Sequence, residues 1–466
     1  MRSRFLYARL AAQSLRLNAR SYLPYLLSCM VTVALHYDIQ FLNMNHGMEQ
    51  LPGSSSVHGL LSVVVLAVDL FSVFLFFYTN SFLMKRRHHE LGLYRILGME
   101  RRHLRRLLRR EATFVGVVAI GGGLVLGIGL SQLFIVLFRA VMQADVPLAF
   151  EVPRIAVLYT VVVYGFILLL TLLSNLGRVS FVRPIELLHG TDAGDRELRT
   201  RWLVAALGVA FLAAGYFISI FTNPLQSLGS FLAAVLLVIV ATYCLFSSGS
   251  IAVLKRLRAD KEYYYQPRHF FAVASMLHRM RRNAAGLATI CVLSTMVLVT
   301  ASTTLCMYVG AVSGAVQEGA PEVRSLLGAC FFVGLFLSIL FLMVVTLIIY
   351  YKQVSEGYED ARSFAIMRQV GMSEDEVSMA VRGQISLVFL PPLALAACHL
   401  LAALPMTSKI LMVFGITDAG FVVACAALTL LAYGMLYLLV YLLTSCTYHR
   451  IVDSADNGDL ASLRQW

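Results

Sequence analysis

The sequence predicts an all-α polytopic membrane protein with ten membrane-spanning helices. Three observations lead there. Of 466 residues, 59% are apolar and 14% charged, against about 45–50% and about 25% in an ordinary soluble domain. A chain this long cannot hide so much apolar surface in a water-soluble core, which excludes a soluble enzyme, a disordered tail and a secreted disulfide scaffold. Second, apolar runs of about 20 residues, the length that crosses roughly 30 Å of hydrocarbon, occur repeatedly along the chain. Third, the short alternating segments of a membrane barrel are missing, and lipid cannot satisfy open backbone groups, so the spans are helices.

The runs fall at 22–42, 59–80, 113–142, 155–177, 202–222, 229–250, 286–311, 327–351, 385–405 and 417–444. The first follows several arginines, but it is long and lacks a small-residue cleavage site, so it reads as a span and not a cleaved signal. The second carries Asp69, a mid-span carboxylate that is costly in lipid. It is either a proton or substrate site or is hydrogen-bonded to a neighbouring helix. The third contains Gly123 and Gly127, a small-xxx-small pair that predicts close approach of another helix. The third and tenth are long enough to tilt or to project from the hydrocarbon. Ahead of the seventh, Tyr263, Tyr264 and Tyr265 read as interfacial anchors. The ninth carries His399, an intramembrane polar group most simply satisfied by packing. The eight cysteines form no CxxC or His/Cys cluster and read as small buried residues.

The net charge of +12 is distributed one-sidedly. Of the 38 Lys and Arg, 34 lie at the two termini or in the segments after even-numbered spans; Arg139, Arg154, Arg324 and Lys409 lie opposite. The positive-inside rule then places both termini in the cytoplasm and requires an even span count. The charge is topogenic, and no nucleic acid is expected as a partner. The outer loops are short and mildly acidic, with Asp38, Glu49, Asp145, Glu151, Glu318, Glu322 and Asp418 in or beside them.

The chain also repeats itself. A shift of 273 places Leu93 on Ile366, Arg95 on Arg368, Leu97 on Val370, Gly98 on Gly371 and Met99 on Met372. It also brings Glu111 onto Gln384, and at a slightly different offset Asn18-Ala19 matches Asn283-Ala284. Spans 1–4 therefore form one unit and spans 7–10 its repeat in the same orientation, with spans 5–6 inserted between them. The corresponding domains are 1–190, 191–260 and 261–466. In each repeat, the segment between the second and third spans is a helix, a Gly-Met break and a second helix. The glycine suits a left-handed helix terminus. Leu93, Ile96 and Leu97 share one face. Such a stripe beside a membrane can lie on lipid, pack on its own spans or dock into a partner's groove.

No GxxxxGK[ST], GxSxG or HExxH occurs, and no Gly-Lys pair at all, so no catalytic residue, resident metal or cofactor is expected. If the chain does vectorial work, its energy comes from a proton gradient or a separate ATPase.

The run Arg86–Met99 and its repeat at Glu356–Met372 resemble the FtsX-like permease family, and the stretches Lys85–Met99, Arg279–Val297 and Tyr350–Asp360 carry the match. Ten spans with a two-span insertion resemble its bacitracin-resistance (BceB-type) ABC transporter permeases in the plasma membrane of Gram-positive bacteria. The two repeats are then FtsX-like. Members of that family carry a large folded extracellular domain between spans 7 and 8, where this chain has only Ala311–Leu326. The resemblance implies a mechanotransmission-type permease handling an antimicrobial peptide or lipid-linked ligand at the outer leaflet. Two copies of a separate ATP-binding subunit, carrying the ATP and Mg, dock beneath it. Leu93, Leu97, Ile366 and Val370 would be apolar knobs in the ATPase grooves and Arg95 and Arg368 rim contacts, beside the breaks at Gly98-Met99 and Gly371-Met372. A membrane histidine kinase is a further partner the family implies. The competing readings are a signalling or scaffold component that relays ATPase state without transport, and a proton-coupled transporter working through Asp69.

Overall fold

The computed structural model describes residues 2–142, 148–181, 202–223, 227–265, 267–313, 321–369, 371 and 373–454, and among these no strand occurs. Helix α1 (Arg2–Leu17) precedes the first span, α2 (Ala19–Asn43). A 3-10 turn leads to α3 (Ser54–Arg86), the short α4 (His88–Ile96), α5 (Arg101–Met142) and α6 (Arg154–Phe181). After them come α7 (Trp202–Phe221), α8 (Leu228–Cys244), a π-helical turn, α9 (Ser250–Ala259) and the single-turn α10 (Lys261–Tyr264). The last four are α11 (Pro267–Val312), α12 (Pro321–Gln369), α13 (Glu374–Met412) and α14 (Ala419–Ser454).

Among the described residues, 10 helices are long and apolar enough to cross a bilayer, in the order read from the sequence. The protein is a multi-pass membrane protein. Several helices far exceed the apolar runs inside them: α5 has 42 residues, α11 46 and α12 49. At about 1.5 Å per residue these are roughly 60–75 Å long, so they continue well beyond about 30 Å of hydrocarbon.

The chain divides into two compact units, Met1–Asp195 with Gly319–Phe336, and Arg196–Glu318 with Leu337–Trp466. In the first, α2 is the central helix. Cys29, Val33, Tyr37 and Phe41 are fully buried along it, and α3, α5 and α6 pack on it. The approach of α5 is set by glycine. A Cβ on Gly123 would stand 2.5 Å from Val33 Cβ and 2.9 Å from the Met30 carbonyl oxygen, and one on Gly127 would stand 3.2 Å from Ala34 backbone atoms. The small-xxx-small pair therefore does what its spacing predicted. Further along α5, Phe134 and Phe138 pack on Phe332 and Phe336 at the start of α12, with ring centroids 4.4–6.1 Å apart.

In the second unit, α11 packs on α13 and α14. Buried tyrosines tie them together: Tyr433 donates to Ser294 Oγ (2.6 Å) and Tyr437 to the Phe389 carbonyl (3.0 Å). Helices α7 and α8 pack on each other, and α7 also packs on α13. Lys409 Nζ donates to the Ile220 and Thr222 carbonyls at the end of α7, at 2.6 and 2.9 Å, a cation placed on the negative end of that helix. The expected domain boundary at 190/191 lies outside the described residues. Cys398 and Cys446 are exposed on helix surfaces, whereas the sequence reading had every cysteine buried. A helix facing lipid exposes apolar residues without penalty, so apolar surroundings in sequence do not imply burial in protein.

Candidate coupling surface and buried polar sites

The segment after the second span is held by one buried arginine. Arg87, 3% exposed, sits between α3 and α4 with non-helical dihedrals. Its guanidinium grips Glu111 of α5 with both terminal nitrogens, the Nη2–Oε1 bond being 2.9 Å. It also donates to Glu90 of α4 (3.1 Å), to Ser14 Oγ of α1 (2.8 Å) and to the Tyr22 hydroxyl of α2 (2.8 Å), whose ring it overlies at 5.8 Å. Four helices thus converge on one side chain. Burial by itself would weaken the arginine's charge, but Tyr22, Glu111 and Glu90 around it hold its pKa above the usual arginine value. Glu90 is shared in turn by Tyr94 (3.2 Å) and Asn18 (3.3 Å).

Helix α4 has two faces. Leu91 is fully buried in a cluster with Ala11, Met84, Leu104, Leu107 and Val179. On the other side Leu93, Ile96 and Leu97 are 52, 58 and 73% exposed. The stripe is therefore not used by the chain's own spans, which removes one of its three sequence-level readings. The helix ends in a complete Schellman motif. Gly98 has φ +93°, Gly98 N–H bonds the Arg95 carbonyl (3.2 Å) and Met99 N–H bonds the Tyr94 carbonyl (2.9 Å). Arg95 and Met99 are half-buried beside it.

The segment that a shift of 273 aligns with this arm presents a related edge in the second unit. Phe364 and Ala361 are buried, whereas Ile366 is 54% exposed. Gly371 has φ +109°, the same left-handed break as Gly98 at the superposed position. Arg368 lies in the last turn of α12, and Val370 and Met372 lie outside the described residues. The shift that superposes the repeats carries Arg87 to Asp360 and Glu111 to Gln384, and both of these accept a hydrogen bond from Tyr448 of α14. After the break, Ser373 and Glu376 form a capping box that starts α13.

Within the spans, Asp69 meets His36 of α2, Nε2 to Oδ1 3.0 Å. Tyr159 of α6 stacks on the His36 ring and lies 3.5 Å from the other Asp69 oxygen, and His36 Nδ1 contacts Thr160 Oγ1 at 3.2 Å. His399 is held on both nitrogens, by the Tyr216 hydroxyl (2.6 Å) and Thr242 Oγ1 (3.1 Å). It lies at a cavity of about 220 Å³ lined by α7, α8, α11 and α13. One expectation needs correcting. Asp38 does not contribute to an acidic outer surface: it is fully buried in α2, with no hydrogen-bond partner among the described residues on either carboxylate oxygen. The sequence counted it as a span end beside the outer loops; the span ends where expected, but the helix turns this side chain into the protein. Among the described residues no group of three or more His, Cys, Asp and Glu is placed to hold a metal ion.

The sequence did not reveal Arg87 as the anchor or His36 as the partner of Asp69. Arg87 is one of a run of basic residues, and His36 lies on a different span from Asp69, so no local spacing links them.

Residues 60–181, from the second span through the arm and the next two spans, match the family model described as FtsX-like permease C-terminal. The chain carries an FtsX-like permease domain. It is 24% identical over 310 residues to an uncharacterized ABC transporter permease, YvcS, of Bacillus subtilis, covering 66% of this chain and 47% of that one. It is 28% identical over 299 residues to the bacitracin export permease protein BceB of Halalkalibacterium halodurans, covering 61 and 46%. BceB of Bacillus subtilis is 25% identical over 304 residues, covering 62 and 46%. The chain spans about half the length of the curated relatives it matches. The permease match includes all of α4, so the exposed stripe and its Arg87 anchor are part of the recognised domain.

Proposed function

We propose that this chain is the membrane subunit of a BceB-type ABC transporter, moved by a separate ATP-binding protein that carries the ATP and Mg. The observation that carries the reading is α4: a short helix after the second span that leaves three large apolar side chains uncovered while an arginine locks its base to three other helices, α1, α2 and α5. Exposed apolar residues gain free energy when a partner covers them, about 25 cal/mol per Å² of apolar surface removed from water. A rigid base transmits the partner's displacement to α5 instead of absorbing it. The related edge at Ile366 and Gly371 offers a second contact, which fits two copies of the ATP-binding protein and cytoplasmic termini. Nucleotide shifts such a system only if the ATP-binding subunits hold its two arrangements with different affinity. The bacitracin export permeases among the relatives support an antimicrobial peptide or lipid-linked ligand as what is handled, and the working mode proposed for it is mechanotransmission.

The test is co-purification. The variant L93D/I366D is expected to fold as the wild type, because both positions are exposed, and to lose an ATP-binding protein expressed with it. Retention of that partner at wild-type stoichiometry sinks the coupling assignment. An ATPase-dead partner that abolishes peptide resistance but spares signalling to a histidine kinase separates transport from the signalling reading.

A further inference from the structure

The amino-terminal end of α5 carries a second exposed surface; it falls within the stretch Arg86–Arg110 that the family resemblance assigns to coupling, but none of the named knobs or rim contacts lies on it. Arg101, Arg105, Arg106, Arg109 and Arg110 are exposed there, while Leu104, Leu107 and Leu108 on the opposite face are buried. No lysine interrupts the set. The nearby acids are already engaged. Glu111 is buried against Arg87, and Glu100 holds Arg102 at 2.6 Å. Among the described residues no carboxylate lies within ion-pair distance of those five arginines.

Where they sit decides what they meet. One turn beyond Arg110 the exposed side of the helix becomes Phe114, Val117 and Val118, at 42, 68 and 46% exposure. Arg106, Arg110 and Val117 follow at i, i+4 and i+11, so one strip of the helix runs from arginine directly into lipid-facing apolar side chains. Arg110 stands about 6 Å along the axis from Phe114. The headgroup layer is roughly 5–8 Å deep on each side of the hydrocarbon. Arg109 and Arg110 therefore lie in that layer, and Arg105 and Arg106 lie one turn out, at its water edge. A guanidinium matches a phosphate with two parallel N–H donors.

We infer that Arg105, Arg106, Arg109 and Arg110 form a binding surface for the phosphate headgroups of anionic phospholipids, on the helix that also carries the Glu111 anchor of the α4 arm. An acidic protein face is the competing occupant. The continuity of the strip with lipid-facing residues favours the lipid.

The experiment uses the detergent-purified full chain and measures its affinity for dioctanoyl-phosphatidylglycerol and dioctanoyl-phosphatidylcholine by thermophoresis. The wild type is expected to prefer phosphatidylglycerol at least about tenfold. A basic residue near an anionic surface contributes roughly fivefold in affinity, so R109Q/R110Q and R105Q/R106Q should each lose about tenfold or more, and the quadruple variant all preference. Glutamine keeps helix propensity, and the two pair variants give a reading if the quadruple variant does not fold. R101Q/R102Q, beyond the headgroup layer, should change affinity less than about threefold. The inference is overturned if the wild type shows no preference, or if the pair variants bind as the wild type does. It is also overturned if inorganic phosphate at equal concentration displaces the lipid, or if the variants keep lipid affinity but lose a co-expressed ATP-binding protein. The lipid-affinity readouts do not depend on the coupling surface, so their failure leaves that proposal standing.

Discussion

Removing Glu111 should expose how firmly the α4 arm is tied to the membrane helices. In Glu111→Ala the Arg87 guanidinium stays 3% exposed but loses a bidentate carboxylate partner. It keeps the Tyr22 and Ser14 hydroxyls, and Glu90 is its remaining acid. Breaking a buried pair on one side costs about 3–5 kcal/mol, because an uncompensated charge remains in a low-dielectric site. The surviving partners place this case near the lower bound, about 3 kcal/mol. For a unit of this size about 1 kcal/mol shifts Tm by roughly 2–4 °C, so a drop of roughly 6–12 °C is expected. The assay is thermal unfolding of the detergent-purified chain, followed by loss of the monodisperse elution peak. The double variant R87M/E111L removes both charges and keeps apolar volume, so it should recover most of the loss. A shift under about 2 °C for E111A, or a double variant no better than the single one, would refute the argument that charge compensation holds the arm.

Three further outcomes follow from the geometry. Gly98→Ala meets no atom within 4 Å, but a side chain at φ +93° is strained, so the cost is about 1–2 kcal/mol. It should appear as faster amide hydrogen exchange confined to the end of α4. Gly123→Ala forces the new methyl onto Val33 and the Met30 carbonyl. It should destabilise the chain by about 1–3 kcal/mol in thermal unfolding, whereas Gly129→Ala, with open space around it, should be neutral or slightly stabilising. Asp69→Asn keeps a polar group facing His36 and Tyr159 but can carry no proton. Peptide resistance or ATPase stimulation should stay within about twofold of the wild type, and a complete loss would revive the proton-coupled reading.

The number and order of the spans were legible because apolar length is a local property, set by the thickness of hydrocarbon. The glycine contacts at Gly123 and Gly127 were legible for a similar reason, since four-residue spacing on a helix makes one smooth face. The turn at Gly98 and its counterpart at Gly371 could be read from the shifted alignment of the two segments, because only glycine takes positive φ cheaply. Other features were hidden. Leu91 and Leu93 are identical residues two positions apart, yet one is buried in a cluster and the other is exposed. Asp38 sat at the edge of an apolar run and read as a loop end, although the helix carries it into the protein.

Taken by itself, the amino-acid sequence determined that this chain is a bundle of membrane helices, the order of its ten apolar spans, and the left-handed breaks at Gly98 and Gly371. These depend on residues within reach along the chain. Tertiary structure alone decided which charges are neutralised and which faces stay open. Arg87 finds Glu111, Ser14 and Tyr22, Asp69 meets His36, and among the described residues Arg101, Arg105, Arg106, Arg109 and Arg110 meet no acid. Ion pairing depends on distances between helices far apart in sequence, and those distances exist only after the helices have packed.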